Sequence, residues 1–221
     1  MTFSIVARCP GTGHLGVAAV TASVGVGKIA CHAVAGVGAV SSQAAMNPYL
    51  AYDALRLMAA GRPAQEALQM VLSADPGAAV RQVGVVDAAG RTAVHTGDRT
   101  LAWSGDLVGD GFAVQGNRLV GRETLEATAE AFTGSEGQPL VERLLRALEG
   151  GEATGADREG ALSGSVTVYG SEEYPLWDLR ADHAPDPAAE LRRLQGELGH
   201  LVDDLPTRAD PLGEMARRAL G

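Results

Sequence analysis

The sequence is poor in lysine, in aromatic residues and in positive charge. Lys28 is the only lysine among eighteen basic residues, aromatic residues make up 4% of the chain, and 27 acidic residues give a formal net charge of −9. An acidic chain is repelled by nucleic-acid phosphates and by anionic lipid surfaces. We therefore expect neither nucleic acid nor a membrane as a partner.

Features of exported, membrane-bound and metal-binding proteins are also missing. No apolar run reaches the length of a membrane span, and no basic segment followed by an apolar one stands at the N-terminus, so we expect a cytoplasmic protein. Two cysteines, Cys9 and Cys31, are too few for a disulfide framework or a four-thiolate zinc site. The histidines lack ligand spacing with cysteines or carboxylates, so the sequence predicts no metal site and no cofactor.

The hydrophobic pattern changes its period several times along the chain. Short apolar runs with β-branched residues predict strands, and apolar residues three and four apart predict helices. The strands are expected over 3–8, 15–22, 29–34, 36–43, 80–87, 91–96, 99–103, 111–116, 163–169 and 175–180. The helices are expected over 48–60, 63–74, 121–132, 138–149 and 188–201, with another after Asp210-Pro211.

This order of elements predicts the fold class. Four strands, two helices, four strands, two helices and two strands do not alternate singly, as a parallel doubly wound sheet requires. Strands rich in Ala, Gly and Val are typical of sheets buried on both faces. We therefore expect an α+β fold, a four-layer α-β-β-α sandwich in which two antiparallel sheets lie between helix pairs. Residues 1–181 would form this domain, and 182–221 a C-terminal helical appendage.

The first predicted strand begins with a residue of chemical interest. If Met1 is removed, which a small second residue favours, Thr2 has both a hydroxyl and a free α-amino group. The amine, with a pKa of about 8, can accept the hydroxyl proton, so the residue is a self-sufficient nucleophile. The alternative is that Thr2 simply opens a strand and that Met1 is retained.

Several segments resemble one uncharacterised family, DUF1028. They are Thr2-Phe3-Ser4-Ile5-Val6-Ala7-Arg8, Ala35-Gly36-Val37-Gly38-Ala39-Val40, Arg81-Gln82-Val83-Gly84-Val85-Val86-Asp87, His95-Thr96-Gly97, Val114-Gln115-Gly116-Asn117, Asp157-Arg158-Glu159-Gly160, Asp178-Leu179-Arg180, Asp182-His183 and Pro185-Asp186-Pro187. The resemblance covers about residues 1–195, in order. It implies an N-terminal-nucleophile (Ntn) hydrolase-like four-layer fold and does not supply a substrate.

Two residues besides Thr2 are candidate catalytic residues. Ntn hydrolases of the proteasome type place a lysine on a neighbouring strand, where its charge lowers the pKa of the nucleophile, and Lys28 is the candidate here. The alternative is a solvated lysine at a strand end. Asn117 can donate a hydrogen bond to the negative charge that develops on a carbonyl oxygen, or it is simply a turn residue.

Five residues are candidates for substrate binding. Ser41 and Ser42 end a predicted strand and can offer hydroxyls or backbone donors to a carbonyl. His95 can act as a general acid or contact substrate, although a structural histidine is commoner. Gln115 precedes Asn117 by two residues, and Arg158 can bind an anionic substrate group or form an ordinary ion pair.

Two functions remain open from the sequence. The first is an Ntn-type amidohydrolase that acts on a small amide or peptide-like substrate through Thr2. The second is a non-catalytic protein that binds a ligand or a partner on the same fold. Cys9 and Leu162 stand where the resembling family usually has an acidic residue and a glutamine, which favours the second. In either case we expect a homo-oligomer, a dimer.

Overall fold

The computed structural model describes residues 1–156 and 160–220, a mixed α/β structure with ten strands. The strands are β1 (Thr2–Arg8), β2 (Leu15–Thr21), β3 (Cys31–Val34), β4 (Gly38–Ala44), β5 (Arg81–Asp87), β6 (Thr92–Thr96), β7 (Gly105–Gly109), β8 (Phe112–Asn117), β9 (Ser163–Tyr169) and β10 (Trp177–Ala181). A short 3-10 helix (Ala78–Val80) precedes β5.

Seven α-helices occur among the described residues. They are α1 (Val26–Ile29), α2 (Pro48–Ala59), α3 (Ala64–Ala74), α4 (Glu123–Thr133), α5 (Leu140–Glu152), α6 (Pro187–Val202) and α7 (Gly213–Leu220). Helix α2 begins as the sequence predicts, because Asn47 caps it by accepting a hydrogen bond from the Tyr49 N–H at 3.1 Å, with Pro48 in the first turn. Within the described part of the chain, no helix is both long and apolar enough to cross a bilayer.

The strands form two sheets in which every pair is antiparallel, so the expectation of two antiparallel sheets is confirmed. The six-stranded sheet has the order β10-β9-β2-β1-β8-β7, and the four-stranded sheet has the order β3-β4-β5-β6. Strand β1 lies in the middle of the larger sheet, between β2 and β8.

Among the described residues, three apolar clusters join the sheets and helices. The first joins the six-stranded sheet to α4, α5 and α6, with Phe3, Phe132 and Leu144 at its centre. The second joins the four-stranded sheet to α2 and α3 through Val83, Leu50 and their neighbours. The third contains residues of both sheets, among them Val6, Val17, Ala39 and Val86. Because strand side chains alternate in direction, each sheet contributes to two clusters.

Two predicted strands differ from the structure. The strand predicted over 29–34 begins at Cys31, and the preceding residues Val26–Ile29 form the single turn α1. The strand predicted over 99–103 is wrong, since β7 lies at Gly105–Gly109 instead. Trp103 of the intervening segment packs against the first apolar cluster, so its apolar character reflects burial without a strand.

Helix α6, in the predicted appendage, packs against β10 and α5. Leu191 is fully buried in the first apolar cluster, and Arg192 pairs with Glu149 at 2.8 Å and with Glu142. The division of the chain at residue 181 stays a prediction.

Candidate active site

A cavity of about 360 Å³ opens at the N-terminal end of β1. The antiparallel registers bring three strand ends together there, because Thr2 lies opposite Thr21 on β2 and opposite Asn117 on β8. Ala44, at the end of β4, adds a residue of the other sheet to the wall. The described residues that line the cavity are Met1, Thr2, Thr21, Ser23, Val24, Val26, Ile29, Ala44, Ala45, Met46, Val80, Arg99, Thr100, Leu101, Asn117 and Arg118.

The hydroxyl of Thr2 lies in a hydrogen-bonded group of three residues. The Oγ1 atoms of Thr2 and Thr21 are 2.9 Å apart, and Thr21 Oγ1 donates to the carbonyl oxygen of Met1 at 2.6 Å. The N–H of Ala22 also donates to that carbonyl, at 3.3 Å. Sequence reasoning missed Thr21, although a signal for it existed. A hairpin with its turn at 10–13 pairs residues symmetrically, and that register places Thr21 opposite Thr2.

Asn117 lies in the wall of the same cavity. Its side chain is buried, and Nδ2 donates a hydrogen bond to Oε1 of Gln82 at 3.1 Å. An amide nitrogen has two hydrogens, so the second can donate to a molecule bound in the cavity. The bond to Gln82 fixes the orientation of the amide.

A network of buried amides links the two sheets and bonds to the cavity residues Thr2 and Asn117. Gln43 on β4 donates to Gln82 Oε1 at 2.8 Å and accepts from the hydroxyl of Ser4 at 2.7 Å. Gln115 Nε2 donates to that hydroxyl at 2.6 Å. All four side chains are essentially inaccessible to solvent. A buried, bonded network of this kind orients neighbouring groups firmly, and here those groups are β1 and Asn117.

The network explains the position of Gln115 and includes residues that sequence reasoning missed. Gln115 contacts Ser4 inside the protein and is not among the residues that line the cavity. Gln43 and Gln82 were not expected to matter. The only sequence signal for them is a glutamine within a mostly apolar strand, as Gln82 is in Arg81–Asp87.

Three other candidate binding residues lie outside the cavity wall. Ser41 and Ser42 are fully buried on β4, where Ser41 donates to Gln43 Oε1 at 3.4 Å and Ser42 donates to the carbonyl of Asn47 at 2.9 Å. His95 lies on β6, with Nε2 at 2.8 Å from the carbonyl of Ala78, next to a different depression of the surface. These contacts anchor β4 and the 3-10 helix.

Of the last two candidates, only Lys28 lies among the described residues. Lys28 is exposed on α1 and not on a strand beside β1, and it is not among the residues that line the cavity. The short helix forms because its first N–H, on Val26, donates to the hydroxyl of Ser163 at 3.0 Å. Arg158 lies outside the described residues.

The backbone is strained at two points of the cavity wall. Ala44 has a φ of 67° and Arg118 a φ of 55°, and they are the two non-glycine residues with positive φ in the described chain. Such conformations are costly and persist where the surrounding structure enforces them, often at functional sites. Here they follow Gln43 and Asn117, which belong to the amide network.

The charge of the cavity wall is also distinctive. Arg99 and Arg118 line it, and the described lining residues include no Asp, Glu, His or Lys side chain. Within the described residues, no group of three or more His, Cys, Asp or Glu side chains could hold a metal ion. The chemistry available to a bound molecule therefore comes from hydroxyls, one amide, two guanidiniums and the N-terminal amine.

Fold and site together define a mixed α/β protein with a small cavity at the end of a central strand, lined by apolar side chains, hydroxyls, one amide and two arginines. A model of the DUF1028 family, a family of unknown function, matches residues 2–191. The chain belongs to this family.

The crystal structure of a DUF1028 protein from Silicibacter pomeroyi is similar, with a TM-score of 0.87 and 30% sequence identity over 96% of this chain and 98% of that one. Anbu (ancestral beta-subunit) from Yersinia bercovieri has a TM-score of 0.46 and 14% identity, over 92% of this chain and 98% of that one. No curated protein matches the chain.

Proposed function

We propose that the protein is an Ntn-type amidohydrolase that cleaves a small amide after removal of Met1. The observation that carries the proposal is the meeting of the Thr2 hydroxyl and the Asn117 amide in one cavity, on directly opposed strand positions. A nucleophile and a donor for the developing oxyanion are the two groups that acyl transfer needs close together.

The fold we propose for this chemistry is a four-layer α-β-β-α sandwich. Its support is the composition of the three apolar clusters, one between helices and each sheet and one between the sheets. In such an arrangement, the start of β1 opens between the two sheets, where the amide network excludes water from beneath the site. The hydroxyl is then exposed only toward the cavity.

The mechanism uses the chain's own N-terminus as base. The α-amino group of Thr2 takes the proton of Oγ1, directly or through water, and Oγ1 attacks the substrate carbonyl. Asn117 Nδ2 donates to the oxyanion of the tetrahedral intermediate. The amine then gives its proton to the leaving nitrogen, and an ester on Thr2 remains. Water, activated by the same amine, hydrolyses this ester and restores the free hydroxyl.

Removal of Met1 would expose the amine of Thr2 and would also release a hydrogen-bond donor beside the Thr2 hydroxyl. Thr21 Oγ1 donates to the Met1 carbonyl, so loss of that carbonyl would free the Thr21 hydroxyl to donate to Thr2 Oγ1, 2.9 Å away. The described cavity wall contains no carboxylate, imidazole or lysine that could replace the amine as base. In this proposal hydrolysis therefore depends wholly on a processed N-terminus.

Substitution of the nucleophile tests the proposal. Thr2→Val keeps the shape and a small second residue, so Met1 removal should be unchanged, whereas amide hydrolysis found by screening small amides should fall by roughly a thousandfold or more. Thr2→Ser should retain measurable turnover. Asn117→Ala should lower kcat by about 10²–10³. The control is Thr12→Val, which removes the same hydroxyl from an exposed turn. Equal activity of Thr2→Val and the unaltered protein would reject the mechanism.

One observation favours the second candidate, a non-catalytic ligand-binding protein. Met1 is only 5% exposed, belongs to the first apolar cluster, and its carbonyl accepts two hydrogen bonds. A retained Met1 would leave Thr2 without a free amine and the cavity as a binding site. Ligand binding unaffected by Thr2→Val, in a protein whose Met1 is retained, would establish this alternative.

The expected homodimer stays a prediction. Light scattering at high protein concentration would test it, and a monomeric mass would contradict it.

A further inference from the structure

Two exposed arginines, both unpaired among the described residues, line the cavity at Thr2. Most described arginines of this acidic chain form an ion pair with a carboxylate, as Arg122 does with Glu126 at 2.7 Å. Arg99 and Arg118 line the cavity and have no side-chain hydrogen bond or ion pair with any described residue. Their positive charges are therefore not neutralised by the described wall.

The backbone holds both arginines in place. Arg118 directly follows Asn117, adopts a φ of 55°, and donates its N–H to the carbonyl of Leu101 at 3.0 Å. The N–H of Arg99 donates to the carbonyl of Ala79 at 2.8 Å. The backbone of Arg118 is thus anchored one residue beyond the position opposite Thr2, and Arg118 lines the same cavity as Thr2.

The rest of the wall is largely apolar. Apolar side chains of α1, of the 3-10 helix and of three loops line the same space, namely Val24, Val26, Ile29, Met46, Val80 and Leu101. A volume of about 360 Å³ is near the lower end of small-molecule sites. Such a wall suits a short aliphatic chain, while a guanidinium binds the two oxygens of a carboxylate with matching geometry.

We propose that the cavity binds small molecules in which a carboxylate is joined to a short aliphatic chain, and that Arg99 and Arg118 bind the carboxylate. The identity of the substrate, though not the binding of the carboxylate, rests on the proposed function. If Thr2 is the nucleophile, the substrate is an amide that also carries a carboxylate, such as an N-acyl amino acid or the half-amide of a dicarboxylic acid.

The test uses two probes of nearly equal shape, isovalerate and isovaleramide, and a protein that cannot turn over. In the 15N-labelled Thr2→Val variant, the Nε–H signals of Arg99 and Arg118 are assigned by their disappearance in Arg99→Gln and Arg118→Gln. Isovalerate should shift both signals in a saturable way, with a dissociation constant about tenfold or more below that of isovaleramide. The Arg118→Gln and Arg99→Gln variants should each weaken isovalerate binding by a similar factor.

The control is Arg122→Gln, which removes an exposed arginine that pairs with Glu126 and does not line the cavity, and it should leave isovalerate binding unchanged. Equal affinity for the acid and the amide, or no saturable shift of either signal, would overturn the proposal. Inorganic phosphate that competes more tightly than isovalerate would overturn the carboxylate assignment in favour of a phosphoryl group. None of these measurements requires Met1 removal or hydrolysis, so a failure of the proposed function is recognised separately. If one arginine variant does not fold, the shifts of the arginine Nε–H signals in the Thr2→Val variant, which retains both arginines, still report isovalerate binding.

Discussion

A Cβ atom placed on Gly84 of β5 would lie 2.2 Å from Oε1 of Gln115 on β8. The two residues belong to different sheets, and the amide of Gln115 occupies the space that a side chain at position 84 would need. The close approach is part of the amide network that supports β1 and Asn117. It also explains why the strand of Gln82 and Val83 continues with a glycine.

We expect Gly84→Ala to lower the free energy of unfolding by about 1–3 kcal/mol, because the added methyl group forces Gln115 and its partners to move. The φ of Gly84 is not in the left-handed region, so the cost comes from the contact alone. Urea denaturation gives the value. Gln115→Ala in the same chain should recover part of the loss, while Gly11→Ala, which meets no atom within 4 Å, is the neutral control. Equal stability of Gly84→Ala and the parent would contradict the packing.

Asp87, at the end of β5, makes the stability of the fold depend on pH in the acidic range. Burial by itself would raise the pKa of this carboxyl, but hydrogen bonds from the Ala64 N–H, from the Arg91 side chain and N–H, and from the Ala89 N–H hold it below its ordinary value. A carboxyl whose pKa is lower in the folded than in the unfolded state stabilises the fold fully above the unfolded pKa of about 3.9. That contribution is lost as the pH falls through the lower, folded pKa.

We expect Asp87→Asn to lower the free energy of unfolding at pH 7 by about 1.5–3 kcal/mol, since the anion accepts several hydrogen bonds, including that of the first N–H of α3. The difference from the parent should shrink below about pH 4, where the parent loses the same contribution. Denaturant curves across this pH range give the result. Asp110→Asn, at an exposed turn, is the matched control. A difference that is constant with pH would show that the charge of Asp87 does not matter.

The two cysteines should differ strongly in reactivity. Burial raises the pKa of the Cys31 thiol to about 12. For Cys9, burial would also raise the pKa, but hydrogen bonds from the side chain and N–H of Thr12 and from Gly11, with the charge of Arg143, lower it overall.

Because the thiolate is the reactive form, iodoacetamide at pH 7.5 should modify Cys9 at least about a hundredfold faster than Cys31. Mass spectrometry of peptides sampled over time measures both rates. Cys9→Ser should remove the fast reaction and leave the slow one. Comparable rates at the two thiols in the folded protein would contradict the difference in environment.

The spacing of hydrophobic residues along the sequence was sufficient to predict most of the helices and strands. The Leu-rich stripe of α5 and the capped start of α2 are local signals, and the structure contains both helices. Strand β7 was misplaced because its glycines and Asp106 make a weak strand pattern, whereas the apolar Leu101 and Trp103 beside it are irregular. Helix α1 was missed because its first N–H bonds to Ser163, a contact 137 residues away that no local pattern indicates.

The site was predictable only in part, for a similar reason. Thr2 and Asn117 could be found because each has chemistry of its own, and Thr21 could have been found from the hairpin register. The amide network could not, since Gln43 and Gln82 bond to Gln115 and Asn117 across two different sheets, and no local pattern indicates such contacts. Arg99 and Arg118 come from a loop and a strand end, and nothing in the sequence pairs them.

The proposed hydrolysis requires that Thr2 acquire a free amine, and the intact mass of the purified, untagged protein tests this requirement most directly. We expect a mass lower than that of the 221-residue chain by one methionine residue, in the parent and in Thr2→Val alike. A mass that includes Met1 in essentially all molecules would contradict the account, because the described cavity wall offers Thr2 no other base.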